Sequence, residues 1–193
     1  MKRLAFILLA TITASAFAQT NVRVRGTITA LNGDVLSVKT REGKDVNIQL
    51  APDTQIAVPK KGTAADFKPG TYAGITSVKG PDGRLVAKRV HAIGPQVPQM
   101  HGAWDSIPNS MMTNANIENV AQASGGSELT MKTKEGEQKI LVNSETEYYT
   151  FGPGTRDDLK PGAHIFTGAR VGDDGKFMTQ RIAVSKDGVN PPQ

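Results

Sequence analysis

Four side chains with thioether or imidazole groups lie close together near the middle of this 193-residue sequence, namely Met100, His101, Met111 and Met112. Thioethers and imidazole suit Cu(I), above all in an oxidising compartment without thiols. The cluster therefore indicates capture of a metal, with copper as the favoured ion. Methionine is also the ordinary residue for filling gaps where a segment packs across a barrel, and the four residues show no regular spacing.

Nucleophilic and acid–base chemistry has little support in the sequence. There is no cysteine, which excludes disulfides, cysteine nucleophiles and zinc–thiolate sites, and none of the three histidines, His91, His101 and His164, lies in a nucleophile-elbow or comparable motif. Paired aspartates at 157–158 and 173–174 lie at turns, where aspartate is favoured because it bonds nearby backbone amides. We therefore expect no catalytic activity and no cofactor. His164 is expected at a sheet position that accepts any flat ring, and His91 is expected on the surface of a strand.

Aromatic side chains are scarce, and four of them are candidates for ligand contact: Trp104, Tyr148, Tyr149 and Phe151. Tyrosine and tryptophan combine a large apolar ring with a polar tip, a combination enriched where proteins contact partners. The last three are expected in an aromatic loop of the second half of the chain. A second interpretation stays open, in which these rings cover the ends of barrels with small cores.

The N-terminus has the pattern of a secretory signal peptide. Lys2 and Arg3 precede the apolar run 4–10, and Ala16-Phe17-Ala18 offers the small side chains that signal peptidase requires. An uncleaved anchor helix would need about 20 apolar residues, which this segment lacks. We predict cleavage after residue 18, a periplasmic or secreted location, and no membrane span in the mature chain.

The charge balance of the mature chain is mild. Removing Lys2 and Arg3 lowers the basic residues from 23 to 21 against 18 acidic residues, a net charge of +3. The basic residues are isolated on turns and alternating strand positions, whereas nucleic acid calls for a concentrated basic face. We therefore expect no nucleic-acid partner.

An internal repeat organises the mature chain. The sequence DFKPG at 66–70 returns as DLKPG at 158–162, and Asp82-Gly83 returns as Asp174-Gly175 at the same displacement of 92 residues. The repeat divides the chain into a signal peptide (1–18), a first copy (19–93), a Pro-containing linker (94–112), a second copy (113–189) and a frayed tail (190–193).

Each copy has the pattern of five short strands. Apolar and polar residues alternate from Val22 to Ala30, Asn32-Gly33 is a strong hairpin signal, and Thr63 can cap a helical turn before the last two strands. Three strands, a helical turn and two strands is the order of an OB-like barrel, with a small open sandwich as the alternative. The predicted fold is all-β, with two tandem five-stranded OB-like barrels. Because the linker carries Trp104 among other apolar residues, we expect it to pack between the barrels.

These motifs resemble a family. The G-x-I start at Gly26, the D-x-K-P-G turns at Asp66 and Asp158, and Trp104-Asp105 before Met112-Thr113-Asn114 resemble exported bacterial proteins built from an OB-like domain of unknown function. Some members are labelled as metal-transport components. The resemblance covers essentially the whole mature chain, implies its location and fold, and transfers no catalytic residue.

The sequence thus favours a non-catalytic, exported binding or adaptor protein of the bacterial cell envelope. Its expected partner is an envelope protein or a glycan, because OB-like barrels commonly bind through an exposed sheet face and the surrounding loops. The alternative is periplasmic handling of copper through the methionines and histidine of the linker.

Overall fold

The computed structural model describes residues 20–172 and 174–192, so the predicted signal peptide lies outside the described part of the chain. This part forms twelve strands and two short 3₁₀ turns, and the predicted all-β class is confirmed. The strands are β1 (Thr20–Asn32), β2 (Val35–Thr40), β3 (Asp45–Lys61), β4 (Tyr72–Lys79), β5 (Leu85–Ala92), β6 (Met100–Trp104), β7 (Ser110–Ala123), β8 (Gly126–Thr133), β9 (Gly136–Val142), β10 (Glu147–Pro153), β11 (His164–Val171) and β12 (Phe177–Val184). The 3₁₀ turns are Ala64–Asp66 and Arg156–Asp158.

Five of these strands close into a barrel. Strand β1 pairs antiparallel with β2 and β11, β2 pairs with β3, β11 pairs with β12, and β12 returns to β3 in parallel. The hairpin predicted from Asn32-Gly33 joins β1 to β2, but its two loop residues are Gly33 and Asp34, because Asn32 pairs with Val35. Gly33 has a positive φ of 58°, which glycine adopts without strain. Alternate apolar residues of all five strands fill the interior, with Leu36, Ile48 and Ile182 fully buried at its centre.

The pairings of β4, β5, β7, β8 and β9 also return to their starting point. Strand β4 pairs with β5 and β7, β8 pairs with β7 and β9, and β9 meets β5 in parallel at Ile140 and Leu141 opposite Leu85 and Val86. The barrel has the equivalent parallel pairing between β12 and β3. Phe177 lies opposite Ile48 there, and these two residues correspond in the repeat to Leu85 and Ile140. These strands enclose a second core that contains Ile75, Val90, Ile117 and Ile140.

Each core mixes strands from the two sequence copies, which differs from the expected arrangement of one barrel per copy. The barrel takes β1, β2 and β3 from the first copy but β11 and β12 from the second, while β4 and β5 join the remaining strands of the second copy. Strand β3 is the physical reason. Its 17 residues can span about 55 Å, so it leaves the barrel and carries the chain toward the other core instead of turning back.

The two copies meet along an antiparallel ladder between the end of β3 and β10. Pro59 lies opposite Phe151 in this ladder, and these two positions differ by the repeat displacement of 92 residues. The pair therefore marks an approximate two-fold axis, as in a symmetric dimer whose subunits exchange strands. Two hydrogen bonds flank it symmetrically, from Gly62 N–H to the Tyr148 carbonyl (2.9 Å) and from Gly154 N–H to the Ile56 carbonyl (2.8 Å).

The two 3₁₀ turns repeat one capping arrangement. The backbone N–H of Thr63 donates to Asp66 Oδ2 at 2.7 Å, and that of Thr155 donates to Asp158 Oδ2 at 2.8 Å. The residue after each turn is buried in the core that the chain enters next: Phe67 lies in the second core and Leu159 in the barrel.

Three segments expected to be irregular have regular or packed structure. The linker contains β6, which forms a hairpin with the start of β7, and the aromatic loop around Tyr149 is strand β10. In the tail, the last described residue, Pro192, is buried. The hairpin and β10 are strands because neighbouring strands satisfy their backbone groups, information that local composition does not contain.

Candidate functional site

Trp104 lies at the end of β6, where it meets two arginines of the barrel. Arg23 and Arg25 alternate along β1 with residues of the barrel core, so their side chains point outward. The guanidinium carbon of Arg23 lies 4.1 Å from the centroid of the Trp104 ring, and that of Arg25 lies 5.4 Å away. Both distances are within the range of a cation–π interaction, so the half-buried indole joins the former linker to the barrel.

Asp105 fixes the position of these arginines. Its carboxylate accepts two hydrogen bonds from Arg25, both 2.9 Å long, and lies 3.9 Å from Arg23. The Arg25 side chain is only 10% exposed, and its guanidinium carbon also lies 5.0 Å from the centroid of the Phe166 ring. Burial would raise the pKa of the Asp105 carboxyl, but the hydrogen bonds and charge of Arg25 outweigh burial and lower it. We call Arg23, Arg25, Trp104, Asp105 and Phe166 the arginine–tryptophan cluster.

A cleft of about 310 Å³ opens beside this cluster, and we call it the basic cleft. Its charged walls are Arg25, Lys39 and Arg41, and Phe166 and His164 lie on the opposite side. Lys39 and Arg41 are 57% and 49% exposed, and each lies near one carboxylate, at 3.7 Å and 3.5 Å. Arg41 also donates a long hydrogen bond of 3.5 Å to the Asp105 backbone carbonyl. Exposed pairs of this kind contribute little, so both cations can engage an incoming anion.

The three aromatic residues of β10 divide between its two faces. Tyr148 packs in the second core, with its ring centroid 5.6 Å from that of Phe67, and burial raises the pKa of its hydroxyl. Tyr149 points to the opposite face together with Phe151, because side chains alternate along a strand. Tyr148 therefore packs in a core, as in the second interpretation of the aromatic residues. Tyr149 and Phe151 lie on the outer sheet face at the two-fold axis.

A polar cluster surrounds Tyr149 on that face. The Lys61 ammonium donates to the Tyr149 hydroxyl and to Glu147 Oε1, both at 2.9 Å, and lies 4.4 Å from the Tyr149 ring centroid. Arg89 approaches the other oxygen of Glu147 at 3.5 Å. The bonds to Tyr149 and Glu147 raise the pKa of Lys61, and the bond from Lys61 lowers the pKa of Glu147. A groove of about 220 Å³ adjoins Lys61, Arg89 and Tyr149.

The four residues of the copper hypothesis lie on one hairpin but on both of its faces. His101 and Met111 share one face, while Met100 and Met112 share the other, because residues directly opposite in the ladder point the same way. Met112 is 1% exposed, and His101 Nδ1 lies 2.9 Å from the Thr113 hydroxyl. This geometry gathers at most two of the four on a face, and copper binding stays a prediction.

The remaining histidines and paired carboxylates have structural roles. His91 was expected on the surface of a strand but is 1% exposed. Its ring fits because Gly74, on the adjacent strand, has no side chain: a Cβ at that position would lie 2.6 Å from the His91 Nε2 atom. His164 is exposed at the start of β11. Asp158 and Asp174 bond backbone amides of their own turns, whereas Asp173 lies outside the described residues.

Arg23, Arg25 and Phe166 were not identified from the sequence as functional residues. Their alternation with apolar residues was visible, but nothing local connects them to Trp104, which lies about 80 positions from the arginines. The charge pattern of β1, with two arginines on one strand face, was the available signal.

Comparison with known proteins gives one match. Residues 25–91 match a family model described as a domain of unknown function (DUF5666). That span runs from β1 through β5 and thus contributes strands to both cores. No curated protein and no solved structure matches the chain. Across residues 20–172 and 174–192, no helix is long and apolar enough to cross a membrane, and no three His, Asp or Glu side chains are grouped so as to hold a metal ion.

Proposed function

We propose that the protein is a non-catalytic binding protein exported to the bacterial cell envelope, and that the basic cleft receives an anionic group of an envelope protein or glycan. The observation that carries this proposal is the arginine–tryptophan cluster beside the cleft. Its residues come from β1, β11 and the β6–β7 hairpin, three parts of the chain that each contribute to one rigid surface.

The chemistry of the cleft favours an anion. Arg25 is held in place by Asp105, while Lys39 and Arg41 extend from β2 and the following turn with much of their surface in water. Guanidinium groups match carboxylate and sulfate geometry through paired hydrogen bonds. Trp104 and Phe166 add flat apolar surface next to these charges, as is common where proteins hold sugars or peptide side chains.

Export and an OB-like architecture are parts of the same proposal. Export rests on the charged, apolar and small-residue segments of positions 1–18. The first copy has three strands, a 3₁₀ turn and two strands, and the second copy has the same order except that β9 and β10 stand in place of β3. OB-like modules commonly bind through an exposed sheet face. The cluster lies on such a face.

A binding experiment with two defined anions tests the proposal. We expect the mature protein to bind polygalacturonate, an acidic glycan, or polyglutamate, an acidic polypeptide, in isothermal titration calorimetry at 50 mM salt, and to bind more weakly at 200 mM salt. The double variant Lys39→Gln/Arg41→Gln should lose at least tenfold in affinity.

The matched control is Lys44→Gln, which removes one charge from the neighbouring turn without altering the walls of the basic cleft. Its affinity should stay within about twofold of the unmodified protein, since a distant exposed charge contributes little. Absence of binding to both polymers, or equal losses in Lys44→Gln and in the double variant, would contradict the proposal.

A further inference from the structure

A turn at residues 186–189 directs the residues that follow it across the outer sheet face. After β12, Lys186 and Val189 exchange backbone hydrogen bonds of 3.1 and 2.9 Å around Asp187 and Gly188, whose φ angles are 51° and 77°. Positive φ at both central residues is typical of a type I′ turn, which reverses the chain sharply. Lys186 is also anchored to Asp158 by a 2.9 Å ion pair. The direction of the following residues is therefore fixed by local structure.

The residues after this turn line the groove beside Tyr149. Residues 188–192 form one wall of this groove of about 220 Å³, and Lys61, Arg89 and Tyr149 form the other. Pro192 is buried, and Tyr149 is 7% exposed. Asn190 and Pro191 also line the basic cleft, so the tail passes between the two sites. We call residues 190–192 the proline tail.

The other wall of the groove has the chemistry that recognises proline. A proline-rich segment has an extended backbone with exposed carbonyl acceptors and few N–H donors, and its rings pack flat against aromatic side chains. The groove offers the Tyr149 ring and two donor-rich cations. Lys61 gives two of its three ammonium protons to Glu147 and Tyr149, which leaves one for a carbonyl, and Arg89 has further N–H groups beyond its contact with Glu147.

We infer that the surface formed by Lys61, Arg89 and Tyr149 is a binding site for a proline-rich, extended segment of a partner protein, and that the proline tail, which forms the facing wall of the groove, lies against this surface as an internal ligand. This site is distinct from the basic cleft, because its walls are Lys61, Arg89 and Tyr149 instead of Arg25, Lys39 and Arg41. A partner segment displaces the tail and then runs alongside the basic cleft, which brings the two sites into one contact surface.

Competition by the tail makes the inference measurable. A tethered segment acts at an effective concentration on the order of millimolar, so it weakens the apparent affinity of a free peptide for the same groove. Replacing Pro191 and Pro192 by alanine removes the two rings without shortening the chain. The variant Pro191→Ala/Pro192→Ala should therefore bind a free proline peptide better than the unmodified protein does.

The probe is a fluorescently labelled synthetic peptide with the sequence of residues 186–193, KDGVNPPQ, measured by fluorescence anisotropy. We expect the Pro191→Ala/Pro192→Ala protein to bind it at least tenfold more tightly than the unmodified full-length chain. The same peptide with alanine at both proline positions should bind at least tenfold more weakly to the variant. Equal binding of the two peptides, or no gain from the protein variant, would overturn the inference.

Two further substitutions in the Pro191→Ala/Pro192→Ala protein locate the site. Lys61→Gln should reduce peptide affinity at least fivefold, whereas Lys60→Gln should not, because the neighbouring side chain on β3 points to the opposite face. Equal effects of the two would place the peptide elsewhere and contradict the inference. Lys39→Gln/Arg41→Gln should leave peptide binding within twofold, so a failure at the groove remains distinguishable from a failure at the basic cleft.

Discussion

His91 makes the stability of the protein depend on pH in a mildly acidic range. Burial and the nearby charge of Arg89 lower the pKa of His91 from 6.5 to about 4. A histidine whose pKa is lower in the folded state stabilises the fold fully above pH 6.5 and loses that contribution as pH falls toward 4. We expect the free energy of unfolding to decrease by about 2 kcal/mol between pH 7 and pH 5, measured by urea denaturation.

Two substitutions assign this effect to His91. His91→Gln should remove most of the pH dependence between pH 7 and pH 5, whatever its effect on stability at pH 7, whereas His101→Gln should remove a smaller part because that ring is only half-buried. Burial also lowers the pKa of His101, so a smaller dependence of the same sign will remain. An unchanged slope in His91→Gln would show that another group titrates.

The burial of His91 could not be predicted from the sequence. The type and spacing of His91 are those of an ordinary strand residue, and its burial depends on Gly74 in the adjacent strand, which leaves room for the ring. The counterpart of His91 in the second copy is Ala183, and the counterpart of Gly74 is Phe166, so a large and a small residue have exchanged places between neighbouring strands. Such compensation requires knowledge of which strands are adjacent.

At the scale of elements, the β6–β7 hairpin joins the two cores through Trp104. Trp104→Ala should lower the free energy of unfolding by about 2 kcal/mol, because it removes a half-buried ring and two cation–π contacts. Trp104→Phe should restore part of the loss, since an aromatic face remains for Arg23. Thermal denaturation followed by circular dichroism measures both variants.

Trp104 is the only tryptophan, so its fluorescence reports directly on this hairpin. We expect emission that shifts to the red on unfolding and limited quenching by acrylamide in the native protein, because the ring is half-buried between arginines. Full accessibility to acrylamide in the native state, or a Trp104→Ala protein as stable as the original, would show that the hairpin is not docked.

Most strands could be predicted from alternation and turn residues, but two elements could not. Strands β1, β2, β4, β5, β8, β9, β11 and β12 agree with the pattern of the sequence within a few residues. The sequence predicts a loop in place of β10, because apolar and polar residues do not alternate there. It predicts a linker in place of β6, because prolines flank that segment. Both owe their extended form to long-range pairing, with β3 and β7 respectively.

At the scale of the whole molecule, the exchange of strands predicts one cooperative unfolding transition. Neither core is complete without strands from both copies, so neither copy can unfold without disrupting both cores. Strand β10 also joins the cores, because it pairs with β3 of the barrel and with β5 of the second core. Calorimetry should therefore give a single transition whose calorimetric and van't Hoff enthalpies agree. Two independent tandem barrels would instead unfold in two steps.

Equivalent substitutions in the two cores sharpen this prediction. Ile48 and Ile140 occupy matching repeat positions, one in each core, and both are fully buried. Replacing either by alanine should cost about 2–5 kcal/mol and shift the whole transition to lower temperature. A variant that splits the transition, with one part unshifted, would contradict the coupling of the cores.

The repeat predicted five strands for each copy, because turn residues recur at a constant displacement. The first copy has these five strands, but the second copy has a sixth, β10, before its 3₁₀ turn. The repeat could not predict which copy completes which core. Strand order in the sequence is the same whether the last two strands fold back on their own copy or on the other, and the choice depends on the length and direction of β3. The choice of core is set by the path of the chain in three dimensions, and it produces no periodic pattern in the sequence.

The pairing of β1 with β11 and of β3 with β12 also determines when the barrel can form during synthesis of the chain. The first strands of the barrel are made early, but the strand that closes it begins at Phe177, close to the end of the chain. A growing polypeptide therefore cannot complete the barrel until residues 177–184 have been made, and the unpaired edges of the earlier barrel strands stay exposed until then. Until then the barrel strands remain unfolded, which agrees with the export proposed above.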